Sequence, residues 1–159
     1  MDYGGFQKYQ LNIDYIGLDA TLELIKTAQK KYPETNFLLG DIEVLPFLDN
    51  SFDIIFTRHT LEHLPDYKKA ISELYRVAKH IVIIDFFKAP TAEPDDIKIH
   101  YFKIPGEKFH WISLYQNHYN KNRLLNYINL FKPQKIEIFE NLTKDNKYFD
   151  TIYKIIKRK

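Results

Sequence analysis

Short apolar runs alternate with segments of helical periodicity through the first 90 residues of the chain. The apolar runs are brief and end on polar residues, as buried strands do. The segments between them repeat apolar residues every three or four positions, as amphipathic helices do. The pattern predicts strands over 14–19, 36–40, 52–57 and 80–87, and helices over 21–31 and 66–78. Thr21 is the expected N-cap of the first helix, and Pro33 follows its end.

This order of strands and helices predicts an α/β fold with a parallel sheet and right-handed crossovers. The predicted strands all end on polar positions, which are Asp19, Asp41, the run 57–59 and Asp85. In an open α/β sheet, ligands bind beyond the carboxyl ends of the strands. We therefore look for chemistry at these four ends.

The pattern changes after residue 88. The segment 89–118 contains three prolines and many aromatic residues, and it has no clear period over 89–114, so we expect a lid or substrate-binding segment there. Helical spacing resumes over 120–130. Two further strands are predicted over 134–140 and 150–157, joined by a hairpin connection over 141–147.

Composition narrows the class of protein without naming it. The chain has 159 residues with 45% hydrophobic content, so we expect one domain over 1–159. Its 23 Lys and Arg nearly balance 21 Asp and Glu, so nucleic acid is not an expected partner despite the basic end at 154–159, which we expect to be a solvated strand end. It has no cysteine, no signal-like start and no apolar run near the ~20 residues that cross a bilayer. We expect a cytoplasmic protein without membrane contact.

One long stretch carries a family resemblance. The residues from Gly40 to Leu64, GDIEVLPFLDNSFDIIFTRHTLEHL, resemble the central signature of the class I S-adenosylmethionine (SAM)-dependent methyltransferases, and most of all the small-molecule group called type 11. YIGLDA at 15–20 is similar to their second strand, and AISELYRV at 70–77 is similar to the helix before their fifth. The resemblance implies a Rossmann-like sheet, mostly parallel with a C-terminal antiparallel hairpin, and SAM as cofactor.

The resemblance also implies roles for the first two strand ends. Asp19 would accept hydrogen bonds from both ribose hydroxyls of SAM, which suits a carboxylate because it has two acceptor oxygens. Asp41 would bind the adenine amino group, Ile42 would lie on the adenine face, and Ala20 would flank it. The plainer alternatives are a helix-start acid for Asp19 and an ordinary turn for Asp41.

The third strand end is expected near the methionine part of SAM and the acceptor. Thr57 and Arg58 would line the cofactor, with Arg58 reaching its carboxylate; a surface arginine is the alternative. His59 is a candidate general base, because an imidazole takes and releases protons near neutral pH. His59 could equally have a packing role. The candidate substrate-binding residues are His63, His110, Trp111 and Tyr115.

His59 to His63 also match H-x-x-E-H, a zinc-peptidase motif. Two histidines four residues apart can share a helix face and bind zinc. A third ligand and a larger domain would be needed, so no metal is expected in this chain.

Two departures from the family stand out. Relatives usually carry a Gly-Gly turn before the strand matching 81–87, and here Ala78-Lys-His80 takes its place. The family also begins with a strand and a G-x-G-x-G turn that approaches the cofactor. Gly4 and Gly5 fall where the end of that turn belongs, so they are candidate cofactor-binding residues, and the first strand is predicted to be missing. The flanking strands could pair directly, the chain could be a truncated form, or a homo-oligomer could compensate, which we favour.

Two functions from different classes follow. The first is SAM-dependent transfer of a methyl group to an unidentified small-molecule acceptor, driven mainly by proximity and orientation. The alternative is a catalytically inactive methyltransferase fold that serves as a binding or partner subunit.

Overall fold

The computed structural model describes residues 13–103, 111–142 and 149–158. The chain divides into two compact units, Met1–Pro46 and Phe47–Lys159, and each is considered by itself. The expectation of one domain over 1–159 stays a prediction. No helix among the described residues is long and apolar enough to cross a membrane.

The first unit is a parallel strand pair with one helix. Its elements are β1 (Ile16–Asp19), α1 (Leu22–Lys31) and β2 (Asn36–Leu39). A small core of Ile25, Ala28 and Phe37 holds the helix against the pair. Thr21 occupies the N-cap position as predicted, but its side chain makes no capping hydrogen bond.

The second unit contains a four-stranded sheet in the order β3–β4–β8–β7. Its strands and helices are β3 (Phe52–Arg58), α2 (Lys68–Val77), β4 (Ala78–Phe86), β5 (Ile99–Lys103), β6 (Trp111–Tyr115), α3 (Lys121–Asn129), β7 (Lys135–Leu142) and β8 (Phe149–Ile156), with a 3₁₀ turn at Leu61–His63. β3 and β4 are parallel, whereas β8 is antiparallel to both β4 and β7. This confirms the predicted α/β fold with a C-terminal antiparallel hairpin. The predicted connection over 141–147 falls mostly outside the described residues.

At Ala78-Lys-His80, where relatives usually carry a Gly-Gly turn, the helix continues directly into the strand. α2 ends at Val77, and Ala78 is already extended with φ −73° and ψ 134°. The Lys157 ammonium donates to the carbonyl oxygens of Tyr75 (2.8 Å) and Ala78 (2.6 Å), which are left over at the helix end. The basic end is therefore not simply solvated as predicted, because Lys157 closes this junction.

The segment expected to be a lid contains a regular ladder. β5 and β6 pair antiparallel from Ile99 opposite Tyr115 to Lys103 opposite Trp111. Neither strand is predicted from the sequence, because their apolar and polar residues do not alternate regularly.

Within each unit, the parallel strands pair as β1 with β2 and as β3 with β4. The three outcomes predicted for a missing first strand stay predictions.

Candidate functional site

In the first unit, two acids follow parallel strands at the same edge. Asp19 ends β1 opposite Leu39, the last residue of β2, and Asp41 comes two residues later. The Asp19 Oδ1 accepts the backbone N–H of Thr21 at 2.8 Å, and the Asp41 Oδ1 accepts that of Glu43 at 2.8 Å. Each carboxylate is therefore oriented by its own turn, and its Oδ2 accepts no hydrogen bond from the described residues.

The other predicted adenine-side residues lie in the same two turns. Ala20 is exposed and Ile42 is half-buried, so a flat apolar ligand can reach either of them. Their contacts with adenine stay predictions. Gly4 and Gly5 lie outside the described residues.

In the second unit, four charged or titratable side chains lie close together. One each comes from β3, β4 and β8, and the fourth directly follows β3. We call Arg58, His59, Asp85 and Asp150 the strand-end cluster. Arg58 Nε lies 3.2 Å from Asp85 Oδ2, and its Nη2 lies 4.0 Å from Asp150 Oδ2. His59 Nε2 lies 3.4 Å from Asp150 Oδ1 and 4.0 Å from Asp85 Oδ2. Asp85 is buried, whereas the other three side chains keep contact with solvent.

The backbone holds His59 in an unusual conformation. Its φ is +52°, in the left-handed region that a residue with a β-carbon rarely adopts. The His59 N–H donates to the Asp85 carbonyl oxygen at 2.8 Å, which ties the end of β3 to β4. Non-glycine residues in this region cost about 1–3 kcal/mol and often occur at functional sites.

Thr57 and Arg58 precede His59 on β3. Thr57 is buried, and Arg58 is exposed at the end of the strand and contacts Asp85. The contact with Asp85 was not expected from the sequence. The predicted reach of Arg58 toward the SAM carboxylate stays a prediction.

A fully buried carboxyl group lies next to the cluster. Glu62 is 0% exposed, and its Oε1 accepts the backbone N–H groups of Phe87 at 2.8 Å and Lys88 at 3.4 Å. Its Oε2 is buried without a hydrogen-bond partner among the described residues. Burial raises the pKa of Glu62, with the backbone donors opposing it.

The candidate substrate residue His63 lies beside an aromatic ring. Its Nδ1 donates to the Tyr115 carbonyl oxygen at 2.6 Å, and its ring stacks on Phe87 with centroids 5.8 Å apart. The same Phe87 ring meets His59 edge-on at 5.4 Å. The structure thus brings His59, His63 and Tyr115 into one neighbourhood. Trp111 begins β6, and His110 lies outside the described residues.

The zinc-peptidase alternative lacks its geometry. Leu61–His63 forms a single 3₁₀ turn, and His59 precedes it in a left-handed conformation, so the two histidines do not share a helix face. Ligand atoms of His59, Asp85 and Asp150 do lie within 4.8 Å of one another. The Arg58 guanidinium already supplies positive charge to both carboxylates of this group.

Three residues of this neighbourhood were not among the predicted site residues. Asp85 was recognised only as a polar strand end, Glu62 only as the acid of the H-x-x-E-H match, and Asp150 only as the first residue of a predicted strand. Asp150 lies 91 positions after His59 in the chain, and only the pairing of β8 with β4 brings the two together. A polar residue at the edge of a late strand was the one available signal.

Parallel strands whose carboxyl ends are followed by acidic residues are typical of the α/β proteins that bind nucleotides and related cofactors. Residues 4–83, about half of the chain, match a family described as "Methyltransferase domain". The chain belongs to this family, which confirms the resemblance to the class I SAM-dependent methyltransferases.

Sequence relatives point to the same class. A demethylmenaquinone methyltransferase of Renibacterium salmoninarum is 34% identical over 84 residues, which cover 52% of this chain and 35% of the relative. A ubiquinone/menaquinone biosynthesis C-methyltransferase of Rickettsia typhi is 39% identical over 74 residues, covering 43% of this chain and 30% of the relative. The chain therefore spans about a third of the length of these curated relatives.

Solved structures share the fold. A putative SAM-dependent methyltransferase from Listeria monocytogenes superposes with a TM-score of 0.71 at 13% identity, covering 99% of this chain and 86% of that one. The 1,6-didemethyltoxoflavin-N1-methyltransferase of Burkholderia thailandensis, with bound 1,6-didemethyltoxoflavin and S-adenosylhomocysteine, has a TM-score of 0.67 at 11% identity over 99% and 67% of the two chains. SAM, the cofactor predicted from the sequence, is the cofactor of this class.

Proposed function

We propose that this chain binds SAM and transfers its methyl group to a small-molecule acceptor. The observation that carries the proposal is Asp19, which ends β1 with a carboxylate held in place by the Thr21 N–H. In this proposal the free Oδ2 and the second lone pair of Oδ1 accept the two ribose hydroxyls. Asp41 and Ile42 take the adenine, and Thr57 and Arg58 take the methionine part.

The acceptor is proposed to be small and at least partly aromatic. The rings of His63 and Phe87 stack, and the ring of His59 lies edge-on beside them, so a flat molecule finds favourable partners there. Relatives named for demethylmenaquinone and for a toxoflavin precursor support a ring-bearing acceptor.

Calorimetry with SAM and with S-adenosylhomocysteine tests the proposal. We expect both to bind the full chain, with the product competing for the same site. Absence of heat and of competition at millimolar ligand would contradict the proposed function. It would instead favour the inactive partner subunit, for which the family match and the structural neighbours offer no support.

We also infer that the chain self-associates. The support comes from β3, which pairs with β4 on one side and with none of the other described strands, and whose Ile54 and Phe56 are 54% and 38% exposed. An apolar strand edge of this kind is a template for further pairing. Light scattering should show a dimer or larger species that Ile54→Lys weakens, whereas Leu130→Lys, at an exposed helix end, should leave the mass unchanged. A monomer at all concentrations would contradict the inference.

A further inference from the structure

The strand-end cluster contains two carboxylates, Asp85 and Asp150, but only one arginine, Arg58. Arg58 contacts Asp85 at 3.2 Å, which leaves Asp150 as the carboxylate nearest to His59. Asp150 divides its oxygens between two side chains, with Oδ1 3.4 Å from His59 Nε2 and Oδ2 4.0 Å from Arg58 Nη2.

The orientation of the imidazole is the central observation. His59 Nε2 is buried and makes no hydrogen bond with the described residues, and it faces the two carboxylates. Nδ1 accepts no hydrogen bond from any described residue. The two nitrogens of an imidazole point in divergent directions, so a carboxylate on Nε2 places the proton there and leaves the Nδ1 lone pair available.

We propose that Asp150 is the positioning residue that makes His59 a general base through Nδ1. The inference rests on the proposed function and narrows its acceptor to a protic one, a hydroxyl or an amine. In the resting protein the contact of 3.4 Å is longer than a hydrogen bond, as is common before the substrate is bound. A base that is itself held by a third group is the usual arrangement for activating a nucleophile.

The reaction step balances without any further reactant. The acceptor X–H bond, with X an oxygen or nitrogen, breaks and its proton passes to His59 Nδ1. X forms a bond to the methyl carbon of SAM. The bond from that carbon to sulfur breaks with its electron pair going to sulfur, which yields S-adenosylhomocysteine. Asp150 stabilises the imidazolium that results, because an opposite charge within about 4–6 Å favours the charged form.

Five charged or titratable side chains lie near His59 among the described residues. They are Arg58 on β3, Asp85 on β4, Asp150 on β8, and Glu62 and His63 in the 3₁₀ turn. Asp85 is already paired with Arg58, and the pKa of Glu62 is raised by burial, so Asp150 is the carboxylate left to position the His59 ring.

Nitrogen-detected NMR of the histidines in the full chain tests the assignment directly. We expect neutral His59 to carry its proton on Nε2, and we expect Asp150→Asn to shift the neutral ring measurably toward the Nδ1–H tautomer. Asp150→Glu should restore most of the Nε2–H population. The matched control is Asp53→Asn, which removes the carboxylate 3.7 Å from the exposed His80 and should not move His59 at all.

The wild-type protein alone can overturn the proposal. An Nδ1–H tautomer of His59 in the wild type would refute the role of Asp150 even where a variant fails to fold. A tautomer population that is unchanged in a folded Asp150→Asn variant would refute it as well. A second readout follows methyl transfer from labelled SAM to catechol, a hydroxyl acceptor, and to histamine, an amine. With whichever is methylated, Asp150→Asn should lower kcat at pH 7 about tenfold without changing KM for SAM, and equal rates would overturn the proposal. Failure of SAM to bind would contradict the proposed function. The NMR measurement would then still test whether Asp150 positions His59.

Discussion

Carboxylates lie at or near strand ends in both units of this protein, and they are held in different ways. Asp19 and Asp41 accept backbone N–H groups two residues further along their own turns. Asp85 and Asp150 instead contact side chains from other strands, Arg58 and His59. The first arrangement is local and leaves an oxygen available for a ligand. The second is built by the sheet, and its charges already have partners.

The largest expected effect is on the affinity for SAM when a locally held carboxylate, Asp19, is removed. Asp19→Ala should weaken SAM binding about 100-fold, because two hydrogen bonds to a charged group are lost at about 1.5 kcal/mol each. Its unfolding free energy should change by less than about 0.5 kcal/mol, since only a turn contact is removed. Calorimetry and urea unfolding measure the two quantities.

Asp14→Ala is the matched control for that variant, because Asp14 is an exposed acid just before β1. It should leave both SAM affinity and stability unchanged. Equal SAM affinity in Asp19→Ala and Asp14→Ala would remove Asp19 from the cofactor site.

Removing a carboxylate from the arrangement built by the sheet should change the free energy of unfolding. Asp85 is 6% exposed and contacts Arg58 and His59, so Asp85→Asn should lower the unfolding free energy by about 1–2 kcal/mol. This loss is smaller than for breaking a fully buried ion pair, because the Arg58 side chain keeps contact with solvent. Asp53→Asn, whose partners are exposed, should cost less than about 0.5 kcal/mol. A loss for Asp85→Asn no larger than for Asp53→Asn would show that the cluster adds nothing to folding.

What could be predicted from the sequence follows the same division. β1 to β4, β7, β8 and the helices α1, α2 and α3 were predicted within a few residues, since their hydrophobic patterns and turn chemistry lie in short windows. Asp19, Asp41 and His59 were found at strand ends for the same reason. Asp150 was not, because its position depends on β8 lying antiparallel to β4 across a separation that no local pattern records. The β5–β6 ladder was missed because its residues do not alternate.

A third prediction asks whether a long-range contact with no part in the site also carries stability. The Lys157 ammonium donates to Tyr75 O, Ala78 O and Asn50 Oδ1, and lies 4.6 Å from the centre of the Tyr75 ring. Lys157→Met should lower the unfolding free energy by about 1 kcal/mol, because the carbonyl oxygens of Tyr75 and Ala78 lose their donor.

Lys154→Met serves as its control on the same strand, where the lysine pairs with Glu137 at the surface. That change should cost less than about 0.5 kcal/mol. If the two variants are equally stable, the junction between α2 and β4 does not depend on Lys157.

The smallest expected effect concerns Glu62 and is visible only as a dependence on pH. Burial raises the pKa of Glu62 above its ordinary value of 4.5, so the folded protein keeps this proton where the unfolded chain has lost it. The contribution of Glu62 to the unfolding free energy is therefore complete below pH 4.5 and declines as pH rises from there through the folded-state pKa.

Glu62→Gln mimics the protonated acid, since its carbonyl oxygen can still accept the Phe87 N–H. The variant should match the wild type at pH 4 and become relatively more stable toward pH 7. Taking the difference between the two proteins cancels the opposite trend of Glu137, whose pKa is lowered to about 2 by Lys135 and Lys154. A difference that does not vary with pH would mean that Glu62 is ionised in the fold, held by the backbone N–H groups of Phe87 and Lys88. The carboxylate nearest the cluster would then be held by backbone donors, as Asp19 and Asp41 are.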